Sequence, residues 1–168
     1  WVAAPQNIGG ALASGLELEA KFRAADLWAT TLPLTLRTNA SILRSRVDQV
    51  PGPNNRLDQQ PVYTANIGFD YSVRGWPLTL GGNLNFTPQF TVQQIDSQSY
   101  RQGVKRVLDA YALWRFSPAA QLRLSLSNLG PRDYDSATLV TLDDGSTQTQ
   151  DTLARTYLVA NLRLELRF

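Results

Sequence analysis

The chain has 168 residues, 43% of them hydrophobic, and its 16 basic residues nearly balance its 14 acidic ones. This balance gives little electrostatic support for a nucleic-acid partner, and the lack of cysteine excludes disulfides and thiolate metal sites. Histidine is also absent, which rules out a Ser-His-Asp site within the chain. We therefore expect neither an enzyme nor a cofactor.

Seven segments alternate between apolar and polar residues and are predicted to be β-strands, because successive side chains of a strand point to opposite faces. In chain order they are residues 14–22, 33–47, 61–73, 76–91, 105–116, 120–129 and 154–168. The longest continuous apolar run, Ala110 to Trp114, is far shorter than the roughly 20 residues of a membrane-spanning helix. The sequence thus predicts an all-β protein.

The connections between these strands alternate between short and long. A modest turn follows the first strand at 23–32. Arg74-Gly75 and Ser117-Pro118-Ala119 are tight turns that contain the Gly and Pro that turns favour. The other links, 48–60, 92–104 and 130–152, are long, polar and predicted to be loops. In an antiparallel meander all long links lie at one end, as the extracellular loops of outer-membrane barrels do, opposite short periplasmic turns.

The strands have one apolar and one polar face. The apolar face carries no charge and consists of Leu16, Leu18, Ala20, Phe22, Leu34, Leu36, Thr38, Ala40, Ile42, Tyr63, Ala65, Ile67, Phe69, Tyr71, Val73, Trp76, Leu78, Leu80, Gly82, Leu84, Phe86, Leu108, Ala110, Ala112, Trp114, Phe116, Ala120, Leu122, Leu124, Leu126 and the alternate residues of the closing strand. The polar face holds Glu17, Glu19, Lys21, Arg37, Asp70, Asp109, Arg115, Arg123, Arg163, Glu165 and Arg167.

Alternation alone does not decide which face is inside, so a soluble sandwich or lipocalin-like barrel is the alternative to a membrane barrel. The predicted strands exceed the usual length of about 5–6 residues in soluble sheets and suit a tilted membrane crossing. Aromatic residues also collect at the end with the short turns, as in an interfacial girdle: Phe22, Trp28, Tyr71, Trp76, Trp114, Phe116 and Phe168. These features favour an antiparallel transmembrane β-barrel with its apolar face toward lipid.

The closing strand alternates without a break up to the C-terminal aromatic. Its apolar positions include Leu162, Leu164, Leu166 and Phe168. This ending is typical of the last strand of an outer-membrane barrel, and these residues are our candidates for an assembly signal.

Several motifs carry a more specific resemblance. They are Asn7-Ile8-Gly9 with Gly15-Leu16-Glu17-Leu18-Glu19, then Gln60-Pro61 with Asn66 to Tyr71, then Asn128-Leu129 with Tyr134, and finally the Leu162-to-Phe168 ending. In this order they resemble the late strands of TonB-dependent outer-membrane receptors. One departure is Gly130-Pro131, where the family usually has Phe-Asp.

The resemblance implies a barrel of about 22 strands, plugged by an N-terminal domain, in the Gram-negative outer membrane. Such receptors import scarce ligands, typically ferric siderophores but also cobalamin, haem or carbohydrates, with energy from the TonB complex. Residues 1–168 would form about the last seven strands, with the plug and the earlier strands absent. Seven strands cannot close a barrel in lipid, and the start at Trp1 without an initiator Met or signal peptide fits a fragment.

The expected partners are outer-membrane lipid, the receptor's own plug and remaining strands, the TonB complex, the barrel assembly machinery and a small-molecule ligand. The alternative is a passive porin or a small autonomous barrel serving as an adhesin or structural protein. Asp143-Asp144-Gly145 is interpreted as a turn, because two adjacent acids supply too few oxygens for a Ca²⁺ site. The polar-face charges are interpreted as pairing with one another or with the plug. No individual ligand-binding residue can be chosen.

Overall fold

A computed structural model describes residues 9–167, which are almost entirely β-structure. The elements are β1 (Ala11–Arg23), α1 (Ala24–Leu27), β2 (Leu34–Val47), β3 (Tyr63–Ser72), β4 (Leu78–Thr87), β5 (Phe90–Ile95), β6 (Gln98–Gln102), β7 (Lys105–Ser117), β8 (Ala120–Ser127), β9 (Tyr134–Thr141), β10 (Thr147–Ala154) and β11 (Val159–Leu166). They form one sheet in the order β1-β2-β3-β4-β7-β8-β11 and a second in the order β10-β9-β6-β5. Every pairing is antiparallel.

The first sheet confirms the seven predicted strands in their predicted order. Two boundaries were wrong: the strand predicted over 76–91 ends at Thr87, and the strand predicted over 154–168 begins only at Val159. Phe168 lies outside the described residues. Strands β1 and β11 are the two edges, so over residues 9–167 the sheet is open.

The second sheet shows that the connections 92–104 and 130–152, predicted to be long loops, contain strands of their own. These connections form the hairpins β5–β6 and β9–β10, and β6 pairs with β9 to join them. The hydrophobic alternation did not reveal β10, which begins Thr-Gln-Thr-Gln-Asp-Thr and is polar on both faces. The other strands of this sheet are short, and β5 and β9 bury only a few apolar residues: Phe90, Val92 and Ala137.

The turn at Asp143–Gly145 is confirmed and joins β9 to β10. Gly145 has a φ of 80°, and the Asp144 carboxylate accepts hydrogen bonds from the Ser146 hydroxyl at 2.6 Å and the Ser146 N–H at 2.9 Å. These bonds hold the pKa of Asp144 below its ordinary value. Within residues 9–167 no cluster of His, Cys, Asp and Glu could hold a metal ion.

The short connections lie together at one end of the first sheet, which we call the turn end. Phe22 packs edge-on against Trp28 with ring centroids 6.1 Å apart, and Trp76 packs perpendicular to Trp114 at 5.7 Å. The predicted gathering of aromatic residues at this end is therefore seen for these four residues, whereas Phe168 lies outside the described residues.

The buried apolar residues lie mostly at the opposite end, which we call the loop end. They are Val47, Val50, Phe90, Val92 and Ala137, with Ala24 at the turn end. The 48–60 connection is tied to β5 by a 2.8 Å hydrogen bond from Gln93 N–H to the Asn54 carbonyl. The long connections thus pack into a folded layer.

The apolar face of the first sheet is uncovered. Leu16, Ile67 and Leu162 are 54%, 58% and 67% exposed. In the described part of the chain the only buried residue of this face is Gly82, which has no side chain, whereas a soluble sandwich would cover such a face with a second sheet. Among the described residues no helix has the length and apolarity to cross a membrane.

Candidate functional site: the polar face and the second sheet

Asp70 lies at the centre of a charged network on the polar face. Its carboxylate pairs with the Arg37 guanidinium at 2.9 Å and accepts a hydrogen bond from the Tyr111 hydroxyl. The Arg123 guanidinium lies 4.1 Å from the centroid of the Tyr111 ring, a cation–π contact. The network therefore joins strands β2, β3, β7 and β8 across the sheet.

Of two adjacent glycines in β4, Gly81 makes room for this network. Gly81 lies between Asp70 and Tyr111 in the register, and a Cβ there would lie 2.2 Å from the Tyr111 ring. Gly82 faces the other way, where a Cβ would lie 2.8 Å from the Phe69 ring. Glycine normally weakens a strand, but here each one lets an aromatic ring come close to the backbone.

Amide side chains continue the polar face toward the loop end. The Asn66 Nδ2 group donates to Asn39 Oδ1 at 2.6 Å. Asn39, Asn66 and Asn83 line a cleft of about 280 Å³ together with Glu19 and Arg37. The cleft is polar and open, so it provides hydrogen-bonding groups rather than an enclosed catalytic site.

The Asn128-Leu129 motif ends β8. Asn128 has a φ of 60°, and its N–H donates to the Asp109 carboxylate at 2.9 Å. Its side-chain amide donates to the Tyr157 carbonyl at 3.1 Å, close to the start of the final strand. The motif thus fixes where the chain leaves the first sheet and where it returns.

A comparison with known families supplies the decisive observation. A family model described as "TonB dependent receptor-like, beta-barrel" matches residues 3–129, well over half of the chain. The chain belongs to the TonB-dependent receptor β-barrel family. No curated protein and no solved structure matches it.

Membership settles several predictions. TonB-dependent receptors lie in the Gram-negative outer membrane and are transporters powered by TonB, not enzymes. The predicted family, fold class, location and lack of enzymatic activity are therefore confirmed. In such a barrel the apolar face meets lipid and the polar face lines the lumen.

The charges of the receptor's polar face pair only in part. Besides the pair at Asp70, Arg163 Nε lies 3.2 Å from Glu165. Glu17, Glu19 and Lys21 make no ion pair within residues 9–167. Lys21 lies directly opposite Arg37, which has the same charge.

The second sheet is a site that sequence reasoning missed. Arg101 of β6 pairs with Asp135 of β9 at 2.7 Å, and the Gly103 N–H donates to the Asp135 carbonyl at 2.8 Å. The Lys105 ammonium lies 4.4 Å from the centroid of the Tyr134 ring. These contacts and the pairing of β6 with β9 join two connections of the receptor into one folded unit at its loop end.

The candidate assembly residues lie on the outer edge of the receptor's first sheet. Leu162, Leu164 and Leu166 are opposite Leu124, Leu122 and Ala120 in the register, and all three are more than half exposed. Phe168 cannot be placed, because it lies outside the described residues. Asn7-Ile8 of the first motif also lies outside them, whereas Gly15 to Glu19 lie within β1.

Proposed function

We propose that residues 1–168 form about the last seven strands of a receptor barrel whose plug and earlier strands lie outside this sequence. The open sheet carries this proposal. Strands β1 and β11 are edges, and lipid offers no hydrogen-bonding partner for an open edge. Further strands must therefore pair with both of them in the membrane.

The ligand that we propose is a ferric siderophore. The support is its frequency among ligands of this family, together with a folded layer at the loop end where a ligand would first meet the receptor. The family match favours energised uptake over a passive porin.

Deletion of the gene tests the ligand. The knockout should lose growth and uptake on one ferric siderophore in a panel that also contains cobalamin, haem and carbohydrates. A strain lacking TonB should show the same loss. If uptake of every siderophore stayed normal and uptake of cobalamin, haem or a carbohydrate were lost, that compound would be the ligand instead. If the loss did not depend on TonB, energised uptake would be refuted.

We also propose that the final strand, including Leu162, Leu164, Leu166 and Phe168, is read by the barrel assembly machinery. Closure requires this strand to pair with the first strand of the barrel. Deleting Phe168 should therefore lower the amount of receptor in the outer membrane, measured by surface labelling. Truncation of Leu124 to Ala, on the neighbouring strand β8, serves as the control for lost apolar area, and a normal surface level without Phe168 would refute the assembly role.

A further inference from the structure

Three arginines lie on the apolar, lipid-facing side of the first sheet, at its loop end. Arg44 and Arg46 follow Ile42 along β2, and Arg106 precedes Leu108 along β7. In both strands the arginines occupy the same alternate positions as the apolar side chains, so they share the face of those side chains. We call these three residues the arginine rim.

Contacts at the loop end show that the arginines of β2 point away from the lumen. The Ser45 hydroxyl accepts a hydrogen bond from the Leu57 N–H at 2.9 Å, and Val47 is 1% exposed. Arg44 and Arg46, which alternate with these two residues, are both exposed. The 48–60 connection therefore covers the polar face of β2 and leaves the two arginines on the opposite side.

Arg106 lies on the same outer side. Its neighbour Lys105 points toward β9, where the ammonium lies 4.4 Å from the centroid of the Tyr134 ring. Successive side chains of a strand point to opposite faces. Arg106 is accordingly exposed, and its partner in the register is Phe86 of the apolar face.

The arginine rim begins where the lipid-facing band ends. On β2 the band runs from Leu34 to Ile42, and on β7 it runs from Phe116 to Leu108. Both runs start at the turn end and have the length of a tilted membrane crossing, about 9–11 residues. The arginines that follow them on the two strands therefore lie at one depth, the surface of the outer leaflet.

The arginine rim has no counterion in the part of the chain that the structure describes. None of the three arginines makes an ion pair within residues 9–167. Asp48, the next acidic residue along the chain from Arg46, makes none there either. The partners of Arg44, Arg46 and Arg106 in the register are uncharged, namely Ser14, Leu12 and Phe86.

An aromatic pair lies between the arginines of β2 and the arginine of β7. Tyr63 of β3 and Phe86 of β4 share the apolar face, and their rings stack with centroids 6.1 Å apart. Since neighbouring strands are about 4.8 Å apart, β2 and β7 are separated by roughly 14 Å across this pair. Cationic groups thus flank an apolar platform, which suits a ligand with separated anionic groups and an apolar body.

We propose that the arginine rim binds the phosphate groups of an outer-leaflet lipid, whose acyl chains lie on the apolar face below. Charge complementarity identifies the headgroup, since Arg matches phosphate oxygens with paired hydrogen bonds. Basic residues at a membrane surface attract anionic lipids in the same way. Continuity with the lipid-facing band makes the source a lipid rather than a free phosphate. The site is outside the barrel, apart from the path of an imported ligand.

Native mass spectrometry of the purified full-length receptor, titrated with lipid A that carries two phosphates, tests the site. An arginine beside an anionic lipid contributes about fivefold to affinity, so R44Q/R46Q/R106Q should bind on the order of 100-fold more weakly than the wild type. Lipid A without phosphates should bind both proteins equally weakly. The matched control R115Q/R132Q/R167Q removes the same charge at exposed positions away from the arginine rim and should bind like the wild type.

Equal affinity of the wild type and R44Q/R46Q/R106Q for phosphorylated lipid A would overturn the proposal, as would equal affinity of the wild type for both lipids. Full competition by inorganic phosphate would also overturn it, because the source would then be a free anion. If the triple variant does not assemble, R44Q and R106Q decide singly: each should lose about fivefold in affinity, and no loss in either would refute the site. The assay involves no uptake, so its outcome is independent of the imported ligand.

Discussion

The Tyr111 ring lies against the backbone of Gly81, and Tyr111 contacts both Asp70 and Arg123. We expect Gly81→Ala to destabilise the full-length receptor by about 1–3 kcal/mol, because the new methyl group overlaps the ring. Urea unfolding of the purified receptor measures this loss. In a Tyr111→Ala background the same change should cost much less, and an equal cost in both backgrounds would mean that the ring is not the cause.

Two arginine substitutions at nearly the same membrane depth can test which face of the first sheet points to lipid. Leu124 lies on the apolar face between Ala112 and Leu162, and Asn161 lies on the polar face opposite Ser125. Leu124→Arg should cost about 2–4 kcal/mol of stability in the membrane, as for a cation near the bilayer midplane. Asn161→Arg should cost far less in the same unfolding assay, and the reverse order would show that the faces are inverted.

At the scale of the element, β9 holds the second sheet together because it pairs with β6 on one side and β10 on the other. Thr138, opposite both Tyr100 and Gln150, is an inner position of that sheet. Thr138→Pro should open the loop end to proteases and reduce ligand uptake while leaving the surface level normal, because proline disrupts an inner strand.

The control for this prediction is a two-glycine insertion between Asp143 and Asp144, in the turn rather than in a strand. It should preserve protease resistance. Similar damage from both changes would show that the turn itself, not strand pairing, stabilises the layer. A drop in surface level after Thr138→Pro would show that the second sheet is needed for assembly.

The strands of the first sheet could be predicted from the sequence, because lipid on one side and the lumen on the other impose apolar–polar alternation on strands such as β3 and β11. A strand such as β10 of the second sheet could not, because it is polar on both faces. The contact between Tyr111 and Asp70 was equally hidden. It joins residues 41 positions apart and depends on a register that places Gly81 between them.

For the whole molecule, the open sheet predicts the behaviour of the isolated 168-residue chain. Strands β1 and β11 expose unpaired backbone groups, and such edges pair with other chains. Refolding in detergent should therefore give aggregates without a heat-modifiable compact band on gel electrophoresis. A monodisperse, protease-resistant monomer would contradict the fragment proposal and favour a small autonomous barrel.

The pairing of β6 with β9 also constrains how such a receptor can diverge. The connections 88–104 and 128–158 share one sheet and the Arg101–Asp135 ion pair. The sequence of one connection therefore cannot change freely without compensating changes in the other. In chimaeras made to transfer recognition between relatives, exchanging one connection alone should yield mismatched hybrids. The two segments would have to be inherited, or grafted, as a single unit.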